Sequence, residues 1–95
     1  MLIKTLCKSN VKEIILLLEK NGETHFGEIE NTLQINRGNL SKVLNLLVAE
    51  KFINKREEES NLKLNKTYYS LTELGKNAIL VYELNEKLKE IQKEL

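Results

Sequence analysis

A stretch near the middle of the chain has the strongest periodicity and restricts the fold more than any other part of the sequence. Apolar residues recur there at i, i+3, i+4 and i+7, namely at Leu40, Val43, Leu44 and Leu47, which is the spacing of one buried face of an α-helix. Asn36 precedes this stretch and is of a type favoured at helix N-caps. The pattern predicts a helix over about residues 37–50 that packs one face against a core.

The opposite face of this helix is polar and carries no acid before Glu50. The residues on that face, or beside it in the first turn, are Arg37, Gly38, Asn39, Ser41, Lys42 and Asn45. A solvated helix face usually mixes glutamate with lysine. A face without acids therefore indicates a surface that contacts an anionic partner.

Two shorter helical segments precede this helix. Asn10 and Glu13 have the spacing of a capping box, with Ser9 as the alternative cap. Gly22 is placed to end the first helix in the left-handed conformation, and Gly27 is expected to cap the second. Two short helices followed by a helix with a basic, polar face are typical of a helix-turn-helix, whose last helix enters the major groove of DNA.

Two strands are expected after the third helix. Residues 52–57 and 67–71 are bounded by polar segments, and the second run is rich in β-forming residues, including Tyr68 and Tyr69. A polar loop over residues 58–66 joins them, so the pair predicts a β-hairpin wing. Thr72 is expected to cap a long last helix that runs towards Leu95.

The last helix carries a second apolar stripe, which continues to the final residue with a spacing close to a heptad. The positions expected at a seam between two copies of the chain are Val81, Leu84, Leu88, Ile91 and Leu95. Charged residues surround this stripe, as in a coiled coil. The seam predicts a homodimer, and the alternative is a helix that folds back on its own core.

Charge is segregated along the sequence although the net charge is only +1. From Gln34 to Arg56 there are five Lys or Arg residues against the single acid Glu50, which gives +4 and leaves −3 for the remainder. Binding to nucleic acid requires localised cations, because neutralising phosphates releases counterions. The local surplus falls on the helix and strand that the pattern assigns to a DNA-facing surface.

Other classes of protein are disfavoured by what the sequence contains. A chain of 95 residues allows one domain, and no apolar run approaches the roughly 18 residues of a membrane helix, so a cytoplasmic protein is expected. Cys7 and His25 are the only residues of their types and cannot form a four-ligand zinc site. No metal, cofactor or catalytic residue is predicted, and the chain is not expected to be an enzyme.

The roles of these two residues stay open at this stage. Cys7 is interpreted as a small apolar side chain or an unpaired thiol, with an intersubunit disulfide or a thiol–imidazole pair with His25 as alternatives. His25 is otherwise interpreted as a surface or strand residue without a special role.

Two stretches resemble the winged helix-turn-helix regulators of the MarR, ArsR and PadR type, and particularly the compact single-domain members of archaea and bacteria. RGNLSKVL at residues 37–44, continuing through Leu47 to Ile53, is similar to the recognition helix and its run into the wing. TYYSLTELGK at residues 67–76 is similar to the second wing strand and the start of the last helix. The chain departs from these regulators in lacking a glycine near Gln34, in having Lys51 before Phe52, and in its acidic wing base over residues 57–59.

The resemblance implies a mainly α fold with a small β-hairpin wing, a winged helix-turn-helix with a long C-terminal dimerisation helix. Residues 1–95 would form a single winged-helix domain, with a DNA-binding core over 9–71, a wing over about 52–71 and the dimerisation helix over 72–95. The expected partners are double-stranded DNA and a second copy of the chain. The residues expected to contact DNA are Arg37, Gly38, Asn39, Ser41, Lys42, Asn45, Lys55, Arg56, Lys63 and Lys66.

Two further interpretations are carried alongside the regulator. The acidic wing base also fits a winged-helix module that binds another protein within a larger complex. Some relatives bind a small-molecule effector between the last helix and the DNA-binding core, but no cluster of convergent polar residues indicates one here.

Overall fold

A computed structural model of the chain describes residues 2–59 and 66–95. Its five helices and three strands occur in the order α1 (Leu2–Leu6), α2 (Val11–Asn21), β1 (Thr24–His25), α3 (Phe26–Leu33), α4 (Arg37–Ala49), β2 (Ile53–Glu58), β3 (Lys66–Leu71) and α5 (Glu73–Glu94). The sheet is antiparallel with the order β1-β3-β2. The predicted mainly α fold with a small β-hairpin is confirmed.

The predicted N-terminus of the first long helix is only partly right. The helix α1 was not predicted from the sequence. Asn10 makes no side-chain cap hydrogen bond to α2, so the predicted capping box is wrong. Asn10 instead takes the left-handed conformation, with φ 71°. The turn from α1 into α2 requires this conformation, which asparagine adopts more readily than most residues.

The start of α3 also differs from the prediction, because His25 and not Gly27 is the N-cap. The His25 Nδ1 atom accepts a hydrogen bond from the backbone N–H of Glu28 at 3.2 Å. His25 also pairs with Tyr68 across β1 and β3, with the two rings edge to face. A histidine expected to have no special role therefore ends a strand and begins a helix.

The apolar stripe of α4 forms the centre of the core, as its periodicity predicts. Leu40, Leu44 and Leu47 are fully buried and Val43 is partly buried. Asn36 is the N-cap, and its side-chain oxygen accepts from the backbone N–H of Gly38 and Asn39. The rest of the core comes from α1, α2, α3, the turn before β2, the sheet and α5, through Leu6, Val11, Ile14, Ile15, Leu18, Ile29, Phe52, Ile53, Tyr69, Ala78 and Ile79.

The strands of the wing lie within one residue of their predicted bounds. The strand β2 starts at Ile53 and not Phe52, whose side chain is buried in the preceding turn. The loop predicted over residues 58–66 is shorter, because Glu58 and Lys66 pair as strand residues. Residues 60–65 of that loop lie outside the described part of the chain.

Two departures from the family pattern coincide with left-handed backbone. Gln34 has φ 53° and Lys51 has φ 69°, and the resemblance stated above leads us to expect glycine near the first position and at the second. Glycine adopts this conformation without steric cost, whereas other L-residues pay roughly 1–2 kcal/mol. Both turns are therefore formed by residues that fit the left-handed conformation less well than glycine does.

The start of α5 is fixed by Thr72 and Gly75. The Thr72 hydroxyl accepts from the Gly75 backbone N–H at 3.0 Å, as an N-cap does, and lies 2.6 Å from the Lys51 carbonyl oxygen. A Cβ atom on Gly75 would lie 2.1 Å from the Phe52 carbonyl oxygen. The helix can therefore approach the turn before β2 this closely only because residue 75 is glycine. In the described residues, no helix is both long enough and apolar enough to span a membrane.

Candidate nucleic-acid interface

The outer face of α4 has the polar surface that its sequence predicts. Gly38, Asn39, Lys42 and Asn45 are exposed, and Ser41 is half-buried. Within residues 2–59 and 66–95, Lys42 forms no ion pair. The charge of Lys42 is therefore available to a phosphate or a base edge.

Arg37, in the first turn of α4, contacts Glu30 and Phe26 of α3. Its Nε and Nη2 atoms each donate to a Glu30 carboxylate oxygen at 3.2 Å. Its guanidinium carbon lies 5.5 Å from the centre of the Phe26 ring, within the range of a cation–π contact. The hydrogen bonds to Glu30 raise the pKa of Arg37 above its ordinary value, although 73% of the Arg37 side chain remains exposed.

A cleft between α4 and the wing brings several predicted site residues together. It has a volume of about 570 Å³. Its lining residues are His25, Phe26, Gly27, Arg37, Ser41, Lys66 and Thr67. The first turns of α3 and α4 and the start of β3 therefore share one concave surface, which carries two of the predicted cations, Arg37 and Lys66.

Arg56 does not line this cleft. Its guanidinium is instead hydrogen-bonded to Glu23 and Glu58. Its Nε and Nη2 atoms donate to the Glu23 carboxylate at 3.0 and 2.6 Å, and Nη1 donates to Glu58 at 3.3 Å. Its guanidinium carbon lies 4.6 Å from the Tyr68 ring centre. The hydrogen bond from Arg56 lowers the pKa of Glu23, and the carboxylates raise the pKa of Arg56.

The other wing cations are dispersed. Lys55 is in an ion pair with Glu57 at 3.7 Å and lines a separate groove beside Val48, Lys51 and Leu74. Lys63 lies outside the described residues. Among the predicted wing contacts that the structure describes, Lys66 is the one at the cleft beside α4.

The acids that pair with Arg37 and Arg56 were not predicted from the sequence. Glu30 lies seven residues before Arg37, and Glu23 lies 33 residues before Arg56. The balance of −3 outside residues 34–56 signals that acids exist elsewhere in the chain, but not where the fold places them. The local count of +4 therefore overstates the free positive charge of this surface.

The predicted dimer residues occupy two environments. Leu84, Leu88, Ile91 and Leu95 are exposed on α5, whereas Val81 is half-buried and packs against the protein's own core. Leu80 is 59% exposed and extends the exposed stripe by one turn, although the heptad spacing did not include it.

The remaining sequence candidates are simply located. Cys7 is a free, exposed thiol just after α1. Among the described residues, no group of three or more His, Cys, Asp or Glu side chains is placed to hold a metal ion.

Solved structures share this architecture. A transcriptional regulator homologue from Pyrococcus horikoshii superposes with a TM-score of 0.81 at 16% identity, covering 97% of this chain and 90% of that one. PadR of Bacillus subtilis, solved in complex with operator DNA, superposes with a TM-score of 0.68 at 26% identity, covering 79% of this chain and 46% of that one.

Sequence comparison defines the family. Two proteins of Methanocaldococcus jannaschii are similar to this chain. An uncharacterized protein is 46% identical over 88% of this chain and 70% of its own length, and an uncharacterized HTH-type transcriptional regulator is 40% identical over 90% of this chain and 79% of its own length. The family model described as a winged helix DNA-binding domain matches residues 12–91. The chain therefore belongs to the winged helix DNA-binding domain family of transcriptional regulators.

Proposed function

We propose that the protein binds a specific double-stranded DNA sequence as a homodimer and regulates transcription from it. In this proposal α4 enters the major groove, and the wing contacts the backbone or the minor groove. The observation that carries the proposal is the exposed face of α4, which is acid-free and displays Lys42 without an ion-pair partner among the described residues. A helix face without acids can approach the phosphates of a duplex without charge repulsion, which favours DNA as its partner.

Roles within the interface follow from side-chain chemistry. Asn39 and Asn45 suit adenine edges, since an amide can both donate to and accept from that base. Lys42 and Ser41 suit a phosphate or a base, and Gly38 allows close approach of the α4 backbone. Contacts to the backbone set the position of the protein, while contacts to bases set the sequence.

Contributions from the wing differ from residue to residue. Lys66 lines the cleft beside α4 and suits a phosphate. Lys55 and Arg56 are also proposed to contact DNA, but each must first break ion pairs within the protein. Lys55 is paired with Glu57, and Arg56 is paired with Glu23 and Glu58. We therefore expect the wing to contribute less affinity than the recognition helix α4.

The exposed stripe of α5 supports the homodimer. Its large apolar side chains, Leu80, Leu84, Leu88, Ile91 and Leu95, are each at least 47% exposed. Contiguous exposed apolar surface marks an interaction site more often than it marks free surface. A second copy of α5 offers the same stripe, and two-fold pairing is the commonest form of self-association.

Binding to duplex DNA across a series of salt concentrations tests the proposal. The affinity should fall steeply with salt, since phosphates are neutralised, and should be higher for one sequence selected from a random pool. Replacing Arg37 or Lys42 with alanine should weaken binding to the selected duplex by roughly 1–3 kcal/mol if each makes a specific base contact. Lys93→Ala, near the far end of α5, is the charge-matched control and should bind as the wild type does.

The opposite result would have a clear meaning. Absence of binding even at low salt would reject the regulator proposal. It would favour the winged-helix module that binds a protein partner, with the paired acids and cations of the wing as the surface to probe.

A further inference from the structure

We infer that Glu30 and Phe26 are positioning residues that hold Arg37 for bidentate recognition of a guanine, and not for contact with a phosphate. The inference rests on the proposed function and deepens it, because it assigns one base-reading side chain and the base class it reads. It is carried by the hydrogen bonds, ring contact and charges around Arg37.

The two hydrogen bonds to Glu30 leave one edge of the guanidinium free. A guanidinium has five N–H groups, and Glu30 occupies Nε–H and one N–H of Nη2. Both N–H groups of Nη1 and the second of Nη2 remain. The Nη1 and Nη2 groups at the outer end form a parallel donor pair, which matches the O6 and N7 acceptors of guanine in the major groove.

Phe26 restricts the remaining freedom of Arg37. The ring centre lies 5.5 Å from the guanidinium carbon, so the ring contacts the cation while Glu30 fixes its edge. An arginine side chain that is 73% exposed would otherwise sample many rotamers. Ordering it before binding removes part of the entropic cost that a free side chain pays on contact with DNA.

The charge of Glu30 separates a base contact from a phosphate contact. The carboxylate neutralises Arg37 and repels a phosphate, so the pair as a whole gains little from counterion release. The major-groove edge of guanine is neutral and presents only acceptors. The free donor pair of Arg37 can therefore donate to it without repulsion between Glu30 and the base. Lys42, which has no carboxylate partner among the described residues, is left to supply the salt-dependent part of the affinity.

Glu30→Gln tests this inference, with Glu28→Gln as the matched control on the same helix. Dissociation constants are measured for the duplex selected from a random pool and for a duplex of scrambled sequence. Glu30→Gln is expected to lower the ratio of specific to non-specific affinity by about 5- to 10-fold. This loss lies near the lower end of the base discrimination that one bidentate contact provides. It should leave non-specific binding unchanged or slightly tighter, and Glu28→Gln should preserve the ratio.

The base is identified with 7-deazaguanine, which lacks the N7 acceptor. Replacing the guanine read by Arg37 should weaken the wild type and have little further effect on Arg37→Ala. The salt slope of Arg37→Ala should equal that of the wild type, whereas Lys42→Ala should have a shallower slope.

A double variant separates positioning from a general structural role. In the Arg37→Ala background, Glu30→Gln should no longer change the specificity ratio. An unchanged ratio in Glu30→Gln alone, a ratio that falls equally in both backgrounds, or tighter binding to both duplexes with the ratio preserved would each overturn the inference. If the wild type and Glu30→Gln both bind the selected duplex with the same specificity, only this inference is rejected. If the wild type shows no sequence preference, the proposed function itself is rejected.

Discussion

The two halves of α5 have the same helical backbone but opposite surroundings. In the first half, Gly75, Ala78 and Ile79 are buried against the protein's own core, and Tyr82 packs beside them. In the second half, every residue from 83 to 95 is exposed. At about 100° per residue, Leu84 lies about 180° around the helix from Gly75.

This difference shows that only the first half of α5 is used by the core of its own domain, and it supports the proposal that the second half packs against another copy of the chain. The buried face begins with a glycine, because α5 approaches the turn at Phe52 too closely for a Cβ atom at position 75. The exposed face uses leucine and isoleucine, which nothing in the described part of the chain covers. The second half also makes the molecule elongated: its radius of gyration is 14.9 Å, against roughly 12 Å for a compact chain of this length.

Removing the exposed stripe should have the largest effect. Replacing Leu88 and Ile91 together with serine should convert the proposed dimer into monomers. Each buried leucine or isoleucine contributes about 1.5–3 kcal/mol, so two per protomer would dominate association. Sedimentation equilibrium at several concentrations measures the change.

A matched control uses the other side of the same turns. Replacing Glu90 and Lys93 with serine costs similar helix propensity and should leave the mass of the assembly unchanged. Equal dissociation of both variants, or a wild type that sediments as a monomer, would contradict the assignment of the stripe to a second copy.

Adding a side-chain atom at Gly75, on the buried face of α5, should have the next largest effect. We expect this change to lower the stability of the fold. Gly75→Ala is expected to destabilise the protein by about 3 kcal/mol, because its Cβ atom meets a backbone carbonyl that can yield only by moving α5. Chemical denaturation measures the free energy of unfolding. The neighbouring exposed Lys76→Ala should change that free energy by less than about 0.5 kcal/mol, and a Gly75→Ala protein as stable as the wild type would show that the contact is not tight.

The smallest effect is expected at the junction of the two halves. Tyr82 donates a hydrogen bond from its hydroxyl to the Leu6 carbonyl oxygen at 2.9 Å and so ties α1 to α5. Tyr82→Phe should cost about 1 kcal/mol at neutral pH, the value of one ordinary hydrogen bond. Urea denaturation of the two proteins at pH 7 measures the difference.

The same residue makes this difference dependent on pH. Burial, with smaller contributions from Cys7 and Glu13, raises the pKa of Tyr82 to about 12 from its ordinary value of 10.0. The folded state therefore keeps a proton that the unfolded state loses, and the stabilisation is complete below pH 10 and falls as pH rises towards 12. The gap between wild type and Tyr82→Phe should shrink over that interval, and a constant gap would contradict the role given to the hydroxyl.

Sequence patterns located the elements whose signals are local. The cap at Asn36, the stripe at Leu40, Leu44 and Leu47, and the cap at Thr72 all act within about one turn, so residue type and spacing suffice to predict them. The details that differ at two helix starts have another origin: α2 begins after Asn10 as predicted but without the cap hydrogen bond, and α3 is capped by His25 and not by Gly27. Asn10 and His25 take their conformations from the turn after α1 and from pairing with β3, which residue types alone do not specify.

What the sequence determined by itself is a central helix with one apolar and one acid-free face, a hairpin after it, and a last helix with more apolar surface than one core can use. What only the tertiary structure decided is which charges and faces meet. It brought Glu30 to Arg37 and Glu23 to Arg56, and it turned Gly75 towards the core and Leu84 away from it. The physical reason is range: caps and periodicity act over a few residues, whereas ion pairs and helix packing join residues that come close only after the chain has folded.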